Sequence, residues 1–163
     1  MSSARGYRGY IASRPIRAGH LPQRLQNLLV RDYAQRNGLH YLLSATEYVM
    51  PSCYMVLEDV LSELPTLGGI IACSLFMLPE RRERRRAIYD RILAAGCELH
   101  CALENVVLRV EEDVARCEDI LGVAASLGSV PFGASMERVS KPAGPDAAIA
   151  LLLRSHDLGF GQR

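Results

Sequence analysis

Short apolar runs in this chain alternate with stretches whose apolar residues recur at helical spacing. Residues 7–13 form the first run, closed by a Ser-Arg-Pro loop, and the pattern predicts a strand. Between residues 21 and 37, Leu25, Leu28, Leu29 and Tyr33 fall about one turn apart, and Gly38 stands where a helix C-terminus favours a left-handed residue. Residues 39–43 predict a second strand, with residues 44–48 as a polar loop. In residues 54–64, Leu57, Val60, Leu61 and Leu64 share one helical face before Pro65. Gly68 and Gly69 turn the chain into a third strand, residues 70–75, apolar nearly throughout as a strand covered on both faces should be.

Pro79 opens a third helix, with Glu80 and Glu83 in its first turn, Ile88, Ile92 and Leu93 as its inner face, and Gly96 as its stop. Residues 97–103 predict a fourth strand, residues 106–110 a short fifth, and residue 111 to about residue 127 a last helix. This alternation predicts an α/β fold: a parallel sheet with helices on both faces, a flavodoxin-like or resolvase-like three-layer sandwich over residues 1–127. Residues 128–163 read as a Gly/Pro-rich tail with one short helix at 146–154. Its apolar run at 147–153 is too short for a bilayer, which takes about 20 residues. The tail reads as either an arm packed on a neighbouring subunit or a partly disordered end; its apolar run favours packing against something, and a homo-oligomer is expected.

Composition narrows the picture. At 163 residues and 49% apolar content the chain suits one packed domain. A net charge of +1 argues against a chain-wide nucleic-acid surface. Lys141 is the only lysine, so arginine carries the positive charge, and its planar fork suits phosphate or carboxylate. Five scattered cysteines, at 53, 73, 97, 101 and 117, fit reduced thiols and a cytoplasmic location. Cys97 and Cys101 would share one strand face and His100 the other, so no metal is expected there. No glycine-rich phosphate loop of standard spacing occurs, and no cofactor is expected. The run 81–86 reads first as arginines spread around a solvated helix face, next as a subunit contact, and third as a nucleic-acid contact.

The element order resembles the catalytic domain of serine recombinases of the resolvase/invertase type over residues 7 to about 110. It does so through residues 9–13 (Gly-Tyr-Ile-Ala-Ser), 32–38 (Asp-Tyr-Ala-Gln-Arg-Asn-Gly), 71–75 (Ile-Ala-Cys-Ser-Leu) and 92–99 (Ile-Leu-Ala-Ala-Gly-Cys-Glu-Leu). That family's chemistry implies a serine after strand one, an arginine two residues before it, and an Asp-Arg-Leu-x-Arg motif after strand three. Here Ser13 stands at or near the first place, but Ile11, Met77 and Glu80 stand where arginines are implied. The chain also resembles a group of proteins found sporadically in carbohydrate-biosynthesis gene clusters. That likeness runs through residues 9–15, 22–28, 31–33, 41–48, 74–79 and 99–104. It implies work on a specialised sugar, without implying a reaction.

Polar residues follow every predicted strand, and in a parallel sheet those ends share one rim. Ser13, Glu47 and Glu104 are the candidate catalytic groups: a hydroxyl that could attack or hold a ligand, and two carboxylates that could move protons. Arg14 and Arg17 are the candidate anion clamp. Gln26, Asn27, Ser44, Thr46, Tyr48, Ser74 and Phe76 complete the candidate binding set. Each also has a structural reading: Ser13 could cap its loop, Ser74 could bond to backbone, and the carboxylates could be loop groups. The combination points to an enzyme acting on an anionic sugar derivative, phosphorylated or nucleotide-linked. Two alternatives stand beside it: a non-catalytic assembly subunit of such a pathway, and a diverged serine recombinase.

Overall fold

A computed structural model of the chain describes residues 5–16, 19–48, 50 and 52–127. The expected tail at 128–163 and Arg17 lie outside the described residues. In chain order come β1 (Tyr7–Ala12), α1 (Gln23–Arg36), β2 (Tyr41–Glu47), α2 (Met55–Ser62), β3 (Gly69–Ala72), α3 (Arg82–Ala94), β4 (Glu98–Cys101), β5 (Val106–Leu108) and α4 (Glu111–Ser126). Single turns of 3₁₀ helix occur at Leu64–Thr66 and Leu75–Met77. The sheet order is β2-β1-β3-β4-β5; the first four strands are parallel and β5 runs antiparallel to β4.

The expected α/β architecture is present, and three of its details differ. Residues 44–47 continue β2 rather than forming a loop, in register from Gly9–Ser44 to Ala12–Glu47. β2 is an edge strand, so Ser44 and Thr46 stay half-buried at little cost. β5 turns back on β4 because four residues join them, and a parallel return needs a dozen or more. Asn105 takes the left-handed conformation (φ 51°) in that turn. The third helix begins at Arg82, which leaves Pro79 and Glu80 in the loop before it.

Right-handed crossovers assign the layers. The step from β1 to β2 goes one way across the sheet, and those from β2 to β3 and β3 to β4 go the other. Hence α1 covers one face, and α2 and α3 the opposite face. Tyr10, Ile11, Ile70, Ile71, Leu75 and Leu108 are all within 1% of complete burial and form the centre of the core. Arg85, expected on a solvated face, is instead 8% exposed, because α4 offers it a carboxylate. It holds Glu118 through two bonds, of 2.8 and 2.6 Å, and donates to the carbonyls of Pro79 and Glu80. That one side chain ties α3, α4 and the preceding loop together.

A second polar network is buried on the α1 face. His100 is 1% exposed, 2.8 Å from Glu98 through Nε2 and 3.1 Å from the Tyr33 hydroxyl through Nδ1. Glu98 also accepts from Tyr7 and Arg109. With the carboxylate accepting only, Nε2 carries the imidazole proton and Nδ1 accepts from Tyr33. Burial pushes the His100 pKa down, outweighing the pull of Glu98. Burial also acts to raise Glu98, but its bonds to His100 and Tyr7 and the Arg109 charge carry its pKa below the usual value. Burial and then Glu98 push the Tyr7 phenol up to about 12.

Below about pH 6.5 an unfolded chain protonates this imidazole while the folded chain keeps it neutral. The unfolded state then binds more protons, so stability falls as pH falls. Glu98 acts with the same sign lower down: its contribution is full above about pH 4.3 and is lost as acid reaches its folded value. The urea midpoint should therefore decline between about pH 7 and about pH 5. His100→Asn should lower the whole curve and flatten that segment; an unchanged slope in the variant would remove His100 as its source.

Candidate functional site

The chain reverses its winding direction at β1, and the crevice between the carboxyl ends of β1 and β3 is the topological switch point of this sheet. Arg14, just past β1, reaches across that crevice. Its Nη1 donates to the Cys53 carbonyl at 2.8 Å and its Nη2 to the Met77 carbonyl at 2.9 Å. Its guanidinium also lies 4.3 Å from the centre of the Tyr54 ring. Arg14 thus joins the loop before α2 to the turn after β3, and two of its donors are committed to backbone.

The other expected site residues have been placed as follows. Ser13 donates its hydroxyl to the Glu47 carbonyl at 2.9 Å, beside the main-chain bond from its own N–H. Glu47 is fully buried and accepts from Leu57 N at 3.0 Å, Val56 N at 3.4 Å and the Tyr10 hydroxyl at 3.2 Å. Those amides open α2, so Glu47 caps that helix from a neighbouring strand. Glu104 accepts from Ser74 Oγ at 2.7 Å and Leu75 N at 2.8 Å, while Ser74 Oγ accepts from Phe76 N. Together they close the 3₁₀ turn after β3. Gln26, also fully buried, brackets Ala12 through its N–H and C=O and donates to Leu21 O as well.

The two carboxylates do not meet. Glu47 ends β2 and Glu104 follows β4, with β1 and β3 between, a separation of about 14 Å at normal strand spacing. Ser44 lies three residues before the end of β2, about 10 Å from the rim, against the Tyr41 hydroxyl. Thr46 shares its face, Tyr48 is 65% exposed past the strand, and Asn27 is half-buried beside Gln26 on α1. Phe76 is half-buried in the turn after β3. Cys73 follows β3 directly, fully buried, and burial with the Glu104 charge pushes its thiol up to about 12, which leaves it unreactive.

A groove of about 580 Å³ opens at the switch point, and Arg14, Tyr54, Phe76, Glu80, Arg81 and Arg84 contribute to its walls. Within the run 81–86, Arg82, Arg85 and Arg86 each have an acidic partner. Among the described residues Arg81 and Arg84 have none; Arg84 instead sits 5.7 Å from the Tyr54 ring centre, on which Arg14 also converges. Burial raises the Tyr54 phenol pKa, and both guanidiniums pull it back. No side chain caps α3, whose first residues follow Arg81 directly. Tyr54 escaped the sequence reading, and Arg81 and Arg84 entered it only within the arginine run, read first as a solvated helix face. The signal available was position: the run begins two residues after the proline that closes the β3 turn.

No family model and no curated protein matches the chain. Among solved structures, the N-terminal catalytic domain of TP901-1 integrase superposes with a TM-score of 0.52 at 11% sequence identity, covering 74% of this chain and 95% of that one. The fold is therefore resolvase-like, as the recombinase resemblance implied; the carbohydrate-cluster resemblance gains no support. No helix among the described residues is long and apolar enough to cross a membrane.

If Glu47 is a cap rather than a proton donor, Glu47→Ala should lower unfolding free energy by roughly 3 kcal/mol, since it orphans buried amides. Urea titration checks this. Wild-type stability in the variant would release Glu47 for chemistry.

Proposed function

We propose that this chain is a diverged protein of the serine-recombinase fold that grips DNA phosphates in the switch-point groove and does not cleave through Ser13. The observation that carries the reading is the pair Arg81 and Arg84, exposed and without acidic partners among the described residues, at the uncapped start of α3. Arginine there opposes the helix dipole, at a cost of about 0.3–1 kcal/mol per charge. A bound phosphate reverses that sign, because it meets both the guanidiniums and the free first-turn amides.

Cleavage is a different demand. Ser13 gives its hydroxyl proton to a backbone carbonyl, so no base stands ready to take it. Ile11 is 1% and Met77 2% exposed where the recombinase pattern implies arginines, and Glu80 adds a negative charge to the groove. A transition state on phosphorus would lack the charge that stabilises it.

Fluorescence anisotropy with a labelled DNA duplex tests the reading. Binding should weaken steeply with salt, and Arg81→Ala with Arg84→Ala should reduce the log–log salt slope by about two, one per lost phosphate contact. Ser13→Ala should bind like wild type, and a denaturing gel should show no protein–DNA adduct. An anionic sugar derivative would use the same phosphate contacts, and its single group gives a shallow salt slope and competes poorly with DNA. Absence of duplex binding at low salt, or an adduct that depends on Ser13, would overturn the proposal.

A further inference from the structure

The switch-point groove does not end at Arg84. A smaller cavity, of about 130 Å³, opens between α2 and α3, and Tyr54, Pro79 and Arg84 line both spaces. Beyond Arg84 its walls include Ala87 and Arg91 of α3 and Glu58 of α2. Arg84, Ala87 and Arg91 stand at i, i+3 and i+7, so they share one stripe of the helix. All three are exposed, and Ala87 adds almost no bulk between the two arginines. Arg91 pairs with Glu58 across the seam between the helices.

That pair is a weak structural tie. Its side chains are 43% and 59% exposed, and ion pairs in water contribute little to stability. The buried tie of α3 is Arg85 with Glu118, which leads to α4 instead. Electrostatically the seam is a row of guanidiniums whose far member already holds an anion of the chain's own. Arg84 and Arg91 are seven residues apart, about 10 Å along the axis. Three nucleotides of one duplex strand, at about 3.4 Å each, rise by the same amount. Carboxylate and phosphate oxygens make the same forked contact with arginine, so one can replace the other.

Resting on the phosphate reading of the groove, we propose that the DNA strand held at Arg81 and Arg84 continues along the α2–α3 seam to Arg91, where its phosphate displaces Glu58. Arg91 is then a third phosphate contact, and Glu58 is an internal competitor that lowers affinity for nucleic acid. The ligand that fits is a polynucleotide backbone. A lone phosphate or a mononucleotide seated at Arg84 does not reach the pair.

The experiment measures binding of the full chain to a labelled DNA duplex by fluorescence anisotropy across a salt series. Arg91→Ala should lower the log–log salt slope by about one. Glu58→Gln should tighten binding about threefold, since the strand no longer has to break an exposed pair. Removing any surface carboxylate raises net charge, so Glu111→Gln is the reference. It frees Arg86 from Glu111 by the same unit of charge, and Arg86 lies about 200° around α3 from Arg84. Its gain should be smaller than that of Glu58→Gln. In an Arg91→Ala background the gain from Glu58→Gln should fall to the level of that reference.

Equal gains from Glu58→Gln and Glu111→Gln, or a salt slope unmoved by Arg91→Ala, would overturn the seam while leaving the groove standing. The slope change expected of Arg81→Ala with Arg84→Ala reads the groove separately. If that change is absent, the phosphate reading has failed and the seam falls with it.

Discussion

Backbone amides at the carboxyl edge of a parallel sheet must be satisfied where helices and turns begin, and in this chain side chains from neighbouring strands satisfy them. The first amides of a helix have no partner within it. Glu47 serves the start of α2, Glu104 with Ser74 serves the turn after β3, and Gln26 brackets the last residue of β1. Arg14 does the complementary job for carbonyls, drawing Cys53 O and Met77 O together. These bonds are largely buried, so each is worth more than its surface equivalent and costs more to leave unmade. The edge is thereby fixed, and the groove at the switch point has walls that do not depend on a ligand to form.

The strands and helices were legible because burial on both faces writes continuous apolar runs, and helical faces write the spacing of Leu57, Val60 and Leu61. Gly38 and Gly96, at φ 65° and 63°, mark the ends of α1 and α3 as a left-handed residue should. The continuation of β2 through Ser44 and Thr46 was not legible. Polar side chains on an edge strand look like a loop unless the pairing with β1 is known. The site was half legible for a related reason. Sequence placed Ser13, Glu47, Ser74 and Glu104 at one edge correctly, but it cannot say whether a carboxylate faces solvent or a helix start. That depends on the neighbour across the sheet, which is a tertiary fact.

The arginine run shows the same limit from the other side. The five arginines of residues 81–86 look alike in sequence, yet α4 takes Arg85 into a buried pair with Glu118, Glu111 and Asp90 take Arg86, and Arg81 and Arg84 are left facing Tyr54 and the groove. Helical phase separates them: Arg84 and Arg85 are about 100° apart around α3. The charge available to a ligand is what remains after these internal pairings, and among the described residues two guanidiniums of the run remain.

The distance between this domain and a working recombinase is set by burial more than by charge count. Ile11 and Met77, at positions where the recombinase pattern implies arginine, are packed into the core here at 1% and 2% exposure. Ile11 lies in β1 between β2 and β3, with paired strands on both sides. Placing an arginine at either position would bury an unpaired cation, a cost far larger than the stability of an ordinary domain allows without compensating carboxylates. An arginine at position 11 or 77 is therefore not accommodated by a single substitution at fixed backbone. The edge of the sheet is held by the bonds of Glu47, Glu104 and Arg14, and Arg81 and Arg84 stand beside it in the groove wall without entering the core.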